Sequence, residues 1–287
     1  MSAREVSGPV LELTGLSVRI DASERETLVE SVDVSVAPGE RLGIIGESGS
    51  GKSLTALAVL GLLPYPLTAH GSARLATRTG EVEIVGAAPR RLDRVRGVEV
   101  GAVFQEPLAS LDPLMRVGAQ LAWPLRHHRG LSGDALRRAV LDALADVQLT
   151  DPERIARAYI HEISGGQRQR VAIALALAAG PQLLIADEPT TALDVTVQAG
   201  ILDLLQREVA ERGMTLLFIS HDLPVVAAIA DRVLVMRHGR QVELGSTADL
   251  LRAPHDPYTA QLVAASRRLD DYLPPQLGHP GHGEGAR

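Results

Sequence analysis

Hydrophobic and polar positions change period several times along the chain, and each change marks an element. From Val10 to Val36 they alternate, as in Leu16-Ser17-Val18-Arg19-Ile20 and Ser31-Val32-Asp33-Val34-Ser35-Val36, ahead of a Pro38-Gly39 turn. Period-two alternation predicts half-buried strands, here an antiparallel group. The continuous apolar run Leu42-Gly43-Ile44-Ile45 predicts a buried strand, and Leu54 to Leu60 a helix. A second β region follows, with its best strands at Glu81 to Val85 and Val98 to Phe104. From about Met115 to Arg157 apolar residues recur at helical spacing, among them Leu136, Val140, Leu144 and Val147, with charged residues between them. That stretch is a helical block inserted between two halves of an α/β core. Beyond it, the apolar runs Leu183 to Asp187 and Thr215 to Ile219 flank the helix-patterned Val195 to Arg212, as central parallel strands do. Arg232 to Gly245 predicts a hairpin turning at His238-Gly239, and Ser246 caps a short helix through Leu251. After Leu273 the chain is rich in Pro, Gly and His, a composition that predicts a disordered tail, and His279 and His282 within it receive no metal role.

Composition narrows the class. With 287 residues and 45% hydrophobic content the chain can bury a substantial core, as one large domain or two modest ones. The absence of cysteine excludes disulfides, thiolate zinc sites and iron–sulfur clusters. The start, Met1 to Pro9, carries no apolar signal region, which predicts a cytoplasmic protein. Val171 to Ala186 is nearly apolar but is broken by Gly180-Pro181-Gln182, so it reads as a helix end followed by a buried strand, and any membrane association would come through a partner. A net charge of −6 and an aromatic content of 2% do not fit a nucleic-acid partner.

The candidate chemistry begins where the first buried strand ends. Gly46-Glu47-Ser48-Gly49-Ser50-Gly51-Lys52-Ser53 matches G-x-x-x-x-G-K-[ST] at every fixed position, between a predicted strand and a predicted helix. Gly46, Gly49 and Gly51 can adopt the angles that turn successive N–H groups inward, which makes a phosphate cradle at the positive end of the next helix. Lys52 supplies a charge for the β- and γ-phosphates and Ser53 a hydroxyl ligand for Mg²⁺. Asp187 and Glu188 end a buried apolar run, where two adjacent acids are costly unless a metal or a reaction uses them. With Asp187 on the Mg²⁺ side, Glu188 is left to accept a proton from the water that attacks the γ-phosphate.

Further segments resemble the ABC ATPases. Ile163-Ser164-Gly165-Gly166-Gln167-Arg168-Gln169-Arg170 resembles their signature sequence, with Ile in place of the usual Leu. Thr191-Ala192-Leu193-Asp194 resembles their D-loop, Phe104-Gln105-Glu106-Pro107 their Q-loop and Ile219-Ser220-His221-Asp222 their switch-histidine strand. The motifs run in family order between Val10 and Tyr258. The resemblance implies a P-loop ATPase core of α/β class with a mixed sheet, an antiparallel β subdomain and an inserted helical subdomain. The expected division is an ATP-binding domain over 1–250, its helical part at about 106–164, and a C-terminal extension over 251–287. It implies ATP and Mg²⁺ as cofactors, His221 on the γ-phosphate, Gln105 on the metal or the attacking water, and Ser164 to Gln167 with Asp194 completing a site on a second ATP-binding subunit.

Phe104 to Pro113, Asp187 to Gln198 and His255-Asp256-Pro257-Tyr258-Thr259 are similar to the oligopeptide, dipeptide and nickel uptake branch. That similarity implies two membrane-spanning permease subunits, an extracytoplasmic solute-binding protein and a place on the cytoplasmic face of the membrane. The expectation is an ATP-hydrolysing subunit of an importer with peptides as the favoured cargo; nickel and oligosaccharide stay open as cargo, and a soluble ATPase acting on ribosomes or DNA is the alternative of another class. The chain departs from the branch in two places: no proline precedes His161 at Tyr159-Ile160, and no aromatic for adenine stacking stands near Thr27-Leu28-Val29.

Overall fold

The computed structural model describes residues 8–21, 26–191 and 193–272. The readings of the N-terminal leader over residues 1–7 and of the tail with His279 and His282 lie outside the described residues.

The first alternating stretch forms β1 (Leu11–Ile20) and β2 (Thr27–Val36), paired antiparallel, with Leu11, Leu13, Leu16 and Val18 of β1 buried. A register shift between Leu13 and Leu16 centres on Gly15 at φ 58°, a bulge that a residue with a side chain adopts at a cost. Then come β3 (Arg41–Ile45) and α1 (Lys52–Leu60) around the glycine-rich loop. β4 (Leu67–Thr77), the longest strand, is absent from the pattern-based expectation. Its sequence is mostly Ala, Ser, Thr, His and Gly, so its alternation is faint, and it is held by pairing with β1 along eight residues. Within it Gly71 passes so close to the β1 bulge that a Cβ would stand 2.3 Å from the Gly15 carbonyl oxygen.

β5 (Gly80–Glu83) stops short of the expected Val85, because the Glu83 carboxylate turns back to accept the N–H groups of Val85 and Ala73. A short turn of helix, α2 (Pro89–Leu92), precedes β6 (Val100–Val103). β6 begins two residues later than Val98, since Gly97 N–H is already committed to the Val100 carbonyl in a turn. The helical block is three helices, α3 (Val117–Arg129), α4 (Gly133–Asp146) and α5 (Pro152–Arg157). Gly130 at φ 65° ends the first, and the Asp151 carboxylate accepts the Arg154 N–H to start the third.

The second half of the core follows as α6 (Gly165–Leu177), β7 (Leu183–Asp187), α7 (Val195–Arg212), β8 (Thr215–Ser220), α8 (Leu223–Ile229), β9 (Arg232–Arg237) and β10 (Arg240–Ser246). The β9–β10 hairpin turns at His238 and Gly239, both at positive φ, and Ser246 caps α9 (Thr247–Arg252) by accepting the Asp249 N–H. A last helix, α10 (Pro257–Tyr272), was not marked by the sequence pattern.

The ten strands among the described residues join one sheet in the order β5-β4-β1-β2-β10-β9-β3-β8-β7-β6. β9, β3, β8, β7 and β6 are mutually parallel, while β1, β2, β4 and β5 are antiparallel. Alternate residues of the parallel strands enter two apolar cores on opposite faces. Leu184, Ala186, Leu216 and Phe218 pack with α3 to α8, whereas Leu183, Ile185, Leu217 and Ile219 pack with α1 and the antiparallel strands. Burial on both faces explains why these strands read as continuous apolar runs. Because β3, β8 and β7 are in parallel register, with Ile45 beside Ser220 and Asp187 beside Ile219, their C-terminal ends meet at one edge of the sheet.

Candidate nucleotide-binding site

Residues 46–53 leave the end of β3 and enter α1, with Gly49 at φ 78° and Gly51 at φ 96°. Those angles let consecutive N–H groups face the same concavity. Gly46 is required for a different reason: a Cβ there would stand 2.1 Å from the Met236 carbonyl oxygen of β9 and 2.6 Å from Ser50 Oγ. Ser50 Oγ is buried with no hydrogen-bond partner among the described residues, a polar atom the fold leaves for something else to satisfy. The loop is held from outside by Gly239 N–H, which donates to the Ser50 carbonyl at 3.2 Å.

Lys52 is buried, and its Nζ donates to the carbonyl oxygens of Gly46 at 2.7 Å and Glu47 at 2.9 Å. Burial lowers its pKa below the ordinary lysine value, partly offset by the nearby charges of Glu188 and Asp187. Asp187, at the end of β7, is also buried and accepts the Ser53 hydroxyl at 3.0 Å. Burial raises its pKa; Ser53 and Lys52 oppose the rise and Glu188 reinforces it. Asp187 and the Lys52 ammonium are thus held at one sheet edge, each where removal from water disfavours its charge unless a ligand compensates.

Glu188 follows with φ 47°, a left-handed conformation uncommon for a side-chain-bearing residue, while its N–H donates to the Ile219 carbonyl at 2.9 Å. Its carboxylate lies between two groups: Thr191 Oγ1 donates to Oε2 at 2.9 Å and His221 Nδ1 is 3.2 Å from Oε1. The imidazole is more than half exposed, whereas the Glu188 side chain is mostly covered. A carboxylate oriented on both oxygens and near enough to Lys52 to act on its charge has the geometry of a general base.

The structure therefore brings together Lys52, Ser53, Asp187, Glu188 and His221. No hydrogen bond among the described residues joins Ser164, Gly165, Gly166, Gln167, Asp194 or Gln105 to this loop. Ser164 and Gln167 make a reciprocal capping box at the start of α6, Gly166 abuts Val197 of α7, and Asp194 caps α7 by accepting the Val197 N–H at 2.9 Å. Gln105 is exposed just past β6. Val29 is fully buried in the core, which removes it as a surface for a base, and half-buried Leu28 lies beside the Gly239 turn. The sequence reading missed Thr191 as the second holder of Glu188; the spacing of three residues on a turn was its signal. It also missed Met236, Gly239 and Tyr258 against the loop, for which no local signal exists.

A glycine-rich loop between a parallel strand and a helix, facing an acid pair on a neighbouring strand end, defines a phosphate-loop nucleotide-binding protein. The family profile described as ABC transporter matches residues 29–191, and the chain belongs to that family. A protein of Brucella ovis named as a peptide import ATP-binding protein is 46% identical over 267 residues, covering 92% of this chain and 79% of that one. The oligopeptide transport ATP-binding protein OppD of Mycobacterium tuberculosis is 47% identical over 265 residues, and this chain spans 42% of its length. Among solved structures, the dimeric ATP-binding cassette MJ0796 in a post-hydrolysis state bound to ADP and Pi is similar, with a TM-score of 0.72 and 27% identity over 83% of this chain and 98% of that one. The cbiO1 protein of Clostridium perfringens, part of the ABC transporter complex cbiONQ, gives 0.70 and 25% identity over 93% and 96%.

Proposed function

We propose that this chain is the ATP-hydrolysing subunit that powers an importer of peptides. The observation that carries the reading is the convergence of the Lys52 loop with Ser53–Asp187 and the doubly held Glu188 at one sheet edge. The concavity of residues 46–53 receives the polyphosphate of ATP, whose oxygens take the Lys52 ammonium now bonded to loop carbonyls and offer a partner to Ser50 Oγ. The Ser53 hydroxyl and Asp187 carboxylate are hard oxygen donors that suit Mg²⁺, and no group of three or more acidic or histidine side chains among the described residues forms a cage of its own. Nucleotide oxygens would therefore complete that coordination. Held by Ser53 and Asp187, Mg²⁺ would supply positive charge against the phosphates. Glu188 takes the proton of the attacking water, Thr191 fixes its carboxylate, and His221 and Gln105 address the γ-phosphate and the water.

No helix among the described residues is long and apolar enough to cross a membrane. The subunit works as a peripheral protein at the cytoplasmic face, docked on two permease subunits and supplied by a solute-binding protein. Residues 1–250 form its ATP-binding domain, with the helical part at about 106–164, and 251–287 a C-terminal extension. Ser164 to Gln167 and Asp194, whose bonds are made away from the loop, complete the site of a second ATP-binding subunit, identical or paralogous, in a dimer. Peptide cargo is supported by the relatives named as peptide import and oligopeptide transport ATP-binding proteins, which align over most of this chain.

The test has two arms. Purified protein with Mg²⁺ and ATP should release phosphate, and binding without release would reduce the chain to a nucleotide-sensing module. Deleting its coding region from the source cells should abolish growth on peptides as the sole nitrogen source and leave nickel uptake unchanged; the reverse pattern would overturn the cargo.

A further inference from the structure

The C-terminal helix reaches back across the molecule to the phosphate loop. Tyr258, in the first turn of α10 and 3% exposed, accepts the backbone N–H of Glu47 on its hydroxyl at 3.0 Å. That N–H belongs to the same peptide unit as the Gly46 carbonyl, which accepts Lys52 Nζ at 2.7 Å. One peptide plane is thus gripped from its two ends, by the tyrosine and by the lysine of the loop. The N–H end is held from α10 and the carbonyl end from within the loop, so the plane keeps one fixed partner when the other moves.

Tyr258 is itself firmly placed. The Arg237 guanidinium lies over its ring, 4.6 Å from the centroid, and Arg237 directly precedes the turn whose Gly239 N–H holds the Ser50 carbonyl. Its own N–H donates to Asp256 Oδ1 at 2.7 Å. The start of α10 is fastened to β10 by Glu243, whose carboxylate accepts the N–H groups of His255 at 2.9 Å and Asp256 at 3.0 Å. Hairpin, helix start and loop therefore form one connected unit, and the phosphate concavity is its inner surface.

We propose that Tyr258 is a positioning residue for the phosphate loop, so that α10 belongs to the support of the nucleotide site rather than to an independent extension. The inference rests on the reading of residues 46–53 as the ATP site. Lys52 must turn from the Gly46 carbonyl toward phosphate when nucleotide arrives, and Tyr258 then keeps the Gly46–Glu47 peptide oriented without its other partner. Two consequences follow. Removing the hydroxyl should weaken nucleotide binding more than turnover at saturation, and nucleotide binding should tighten the start of α10 by the same coupling.

The experiment uses the full-length protein and Tyr258→Phe, which keeps the ring and its arginine contact and deletes one oxygen. The KM and Kd for ATP should rise about three- to tenfold, the worth of one partly buried hydrogen bond, while kcat at saturating ATP changes less than twofold and the Tm stays within a few degrees. In the unaltered protein, amide hydrogen exchange over residues 257–262 should slow on adding ATP with Mg²⁺, a readout that needs no variant to fold. Unchanged KM and Kd in Tyr258→Phe, or a lowered Tm with unchanged KM, would overturn the inference by leaving Tyr258 a packing residue only. Exchange at 257–262 indifferent to ATP would also overturn it. Failure of the unaltered chain to bind ATP at all is a separate result, since it would remove the ATP site itself.

Discussion

Replacing Glu188 by Gln separates the chemistry of the site from its binding. The two side chains are nearly isosteric, and the glutamine oxygen can still accept the Thr191 hydroxyl now bonded at 2.9 Å, so the change in folding stability should stay within about 1 kcal/mol. Binding should also survive. Lys52 Nζ is held by the carbonyls of Gly46 and Glu47, not by Glu188, and removing a carboxylate beside the phosphate concavity lessens its repulsion of ATP. The negative charge of Glu188 does help to keep Lys52 protonated, but the desolvation that opposes it is relieved when phosphate arrives. What is lost is the proton acceptor. A general base is worth about 10²–10⁴ in rate, which corresponds to about 3–5 kcal/mol of transition-state stabilisation. The expected phenotype is therefore ATP affinity equal to or tighter than that of the unaltered protein, with phosphate release slowed by at least a hundredfold. Steady-state phosphate release measured beside equilibrium binding of ATP decides it. Turnover within a few-fold of normal would remove Glu188 from the base role and refute the argument drawn from its two-sided clamp.

Three further outcomes follow. Asp187 has a folded pKa raised above its unfolded value, so its ionised form is disfavoured in the native state and costs stability above the folded pKa, a cost that disappears below the unfolded one. Asp187→Asn should accordingly raise the Tm of the nucleotide-free protein at pH 7, by an increment that shrinks as pH falls toward the ordinary carboxylate range, while Mg²⁺-dependent hydrolysis is lost; thermal melts across pH check the sign. Gly46→Ala should destabilise the protein by about 1–3 kcal/mol and abolish ATP binding, because the Cβ would meet the backbone oxygen of Met236 at 2.1 Å, and normal denaturant midpoints would contradict it. If two identical subunits share their sites, Lys52→Ala and Ser164→Arg variants, each inactive alone, should regain phosphate release when mixed; dimers without regain would argue against completion by a second subunit.

The candidate site was legible in the sequence because its residues are joined by short spacings. Gly46 to Ser53 is eight consecutive positions, Asp187 and Glu188 are adjacent, and each group ends a continuous apolar run that marks a strand buried on both faces. Parallel register then brings those run ends together, so a local pattern and one topological rule suffice to assemble the site. β4 escaped for the opposite reason: its Ala, Ser and Thr residues carry almost no apolar contrast, and pairing with β1 and β5 is what makes it a strand. The groups that hold the loop were equally silent. Met236 closes the space beside Gly46 with a backbone oxygen and Gly239 holds Ser50 with a backbone N–H, neither of which depends on residue identity in a way a pattern reveals. Tyr258 acts through its hydroxyl, but from the far end of the chain, where only the folded sheet brings it to Glu47.

That division has a physical cause. A phosphate site must present N–H groups and charges to one small ligand, which forces its parts into a loop and the strand ends beside it. The loop, however, contains a buried ammonium and a hydroxyl without a partner among the described residues, so its geometry needs partners that are the same with nucleotide and without it. Such partners must come from outside the concavity, from β9, the hairpin turn and α10. Their distance in sequence is the consequence of supporting the loop from behind while leaving its inner face free.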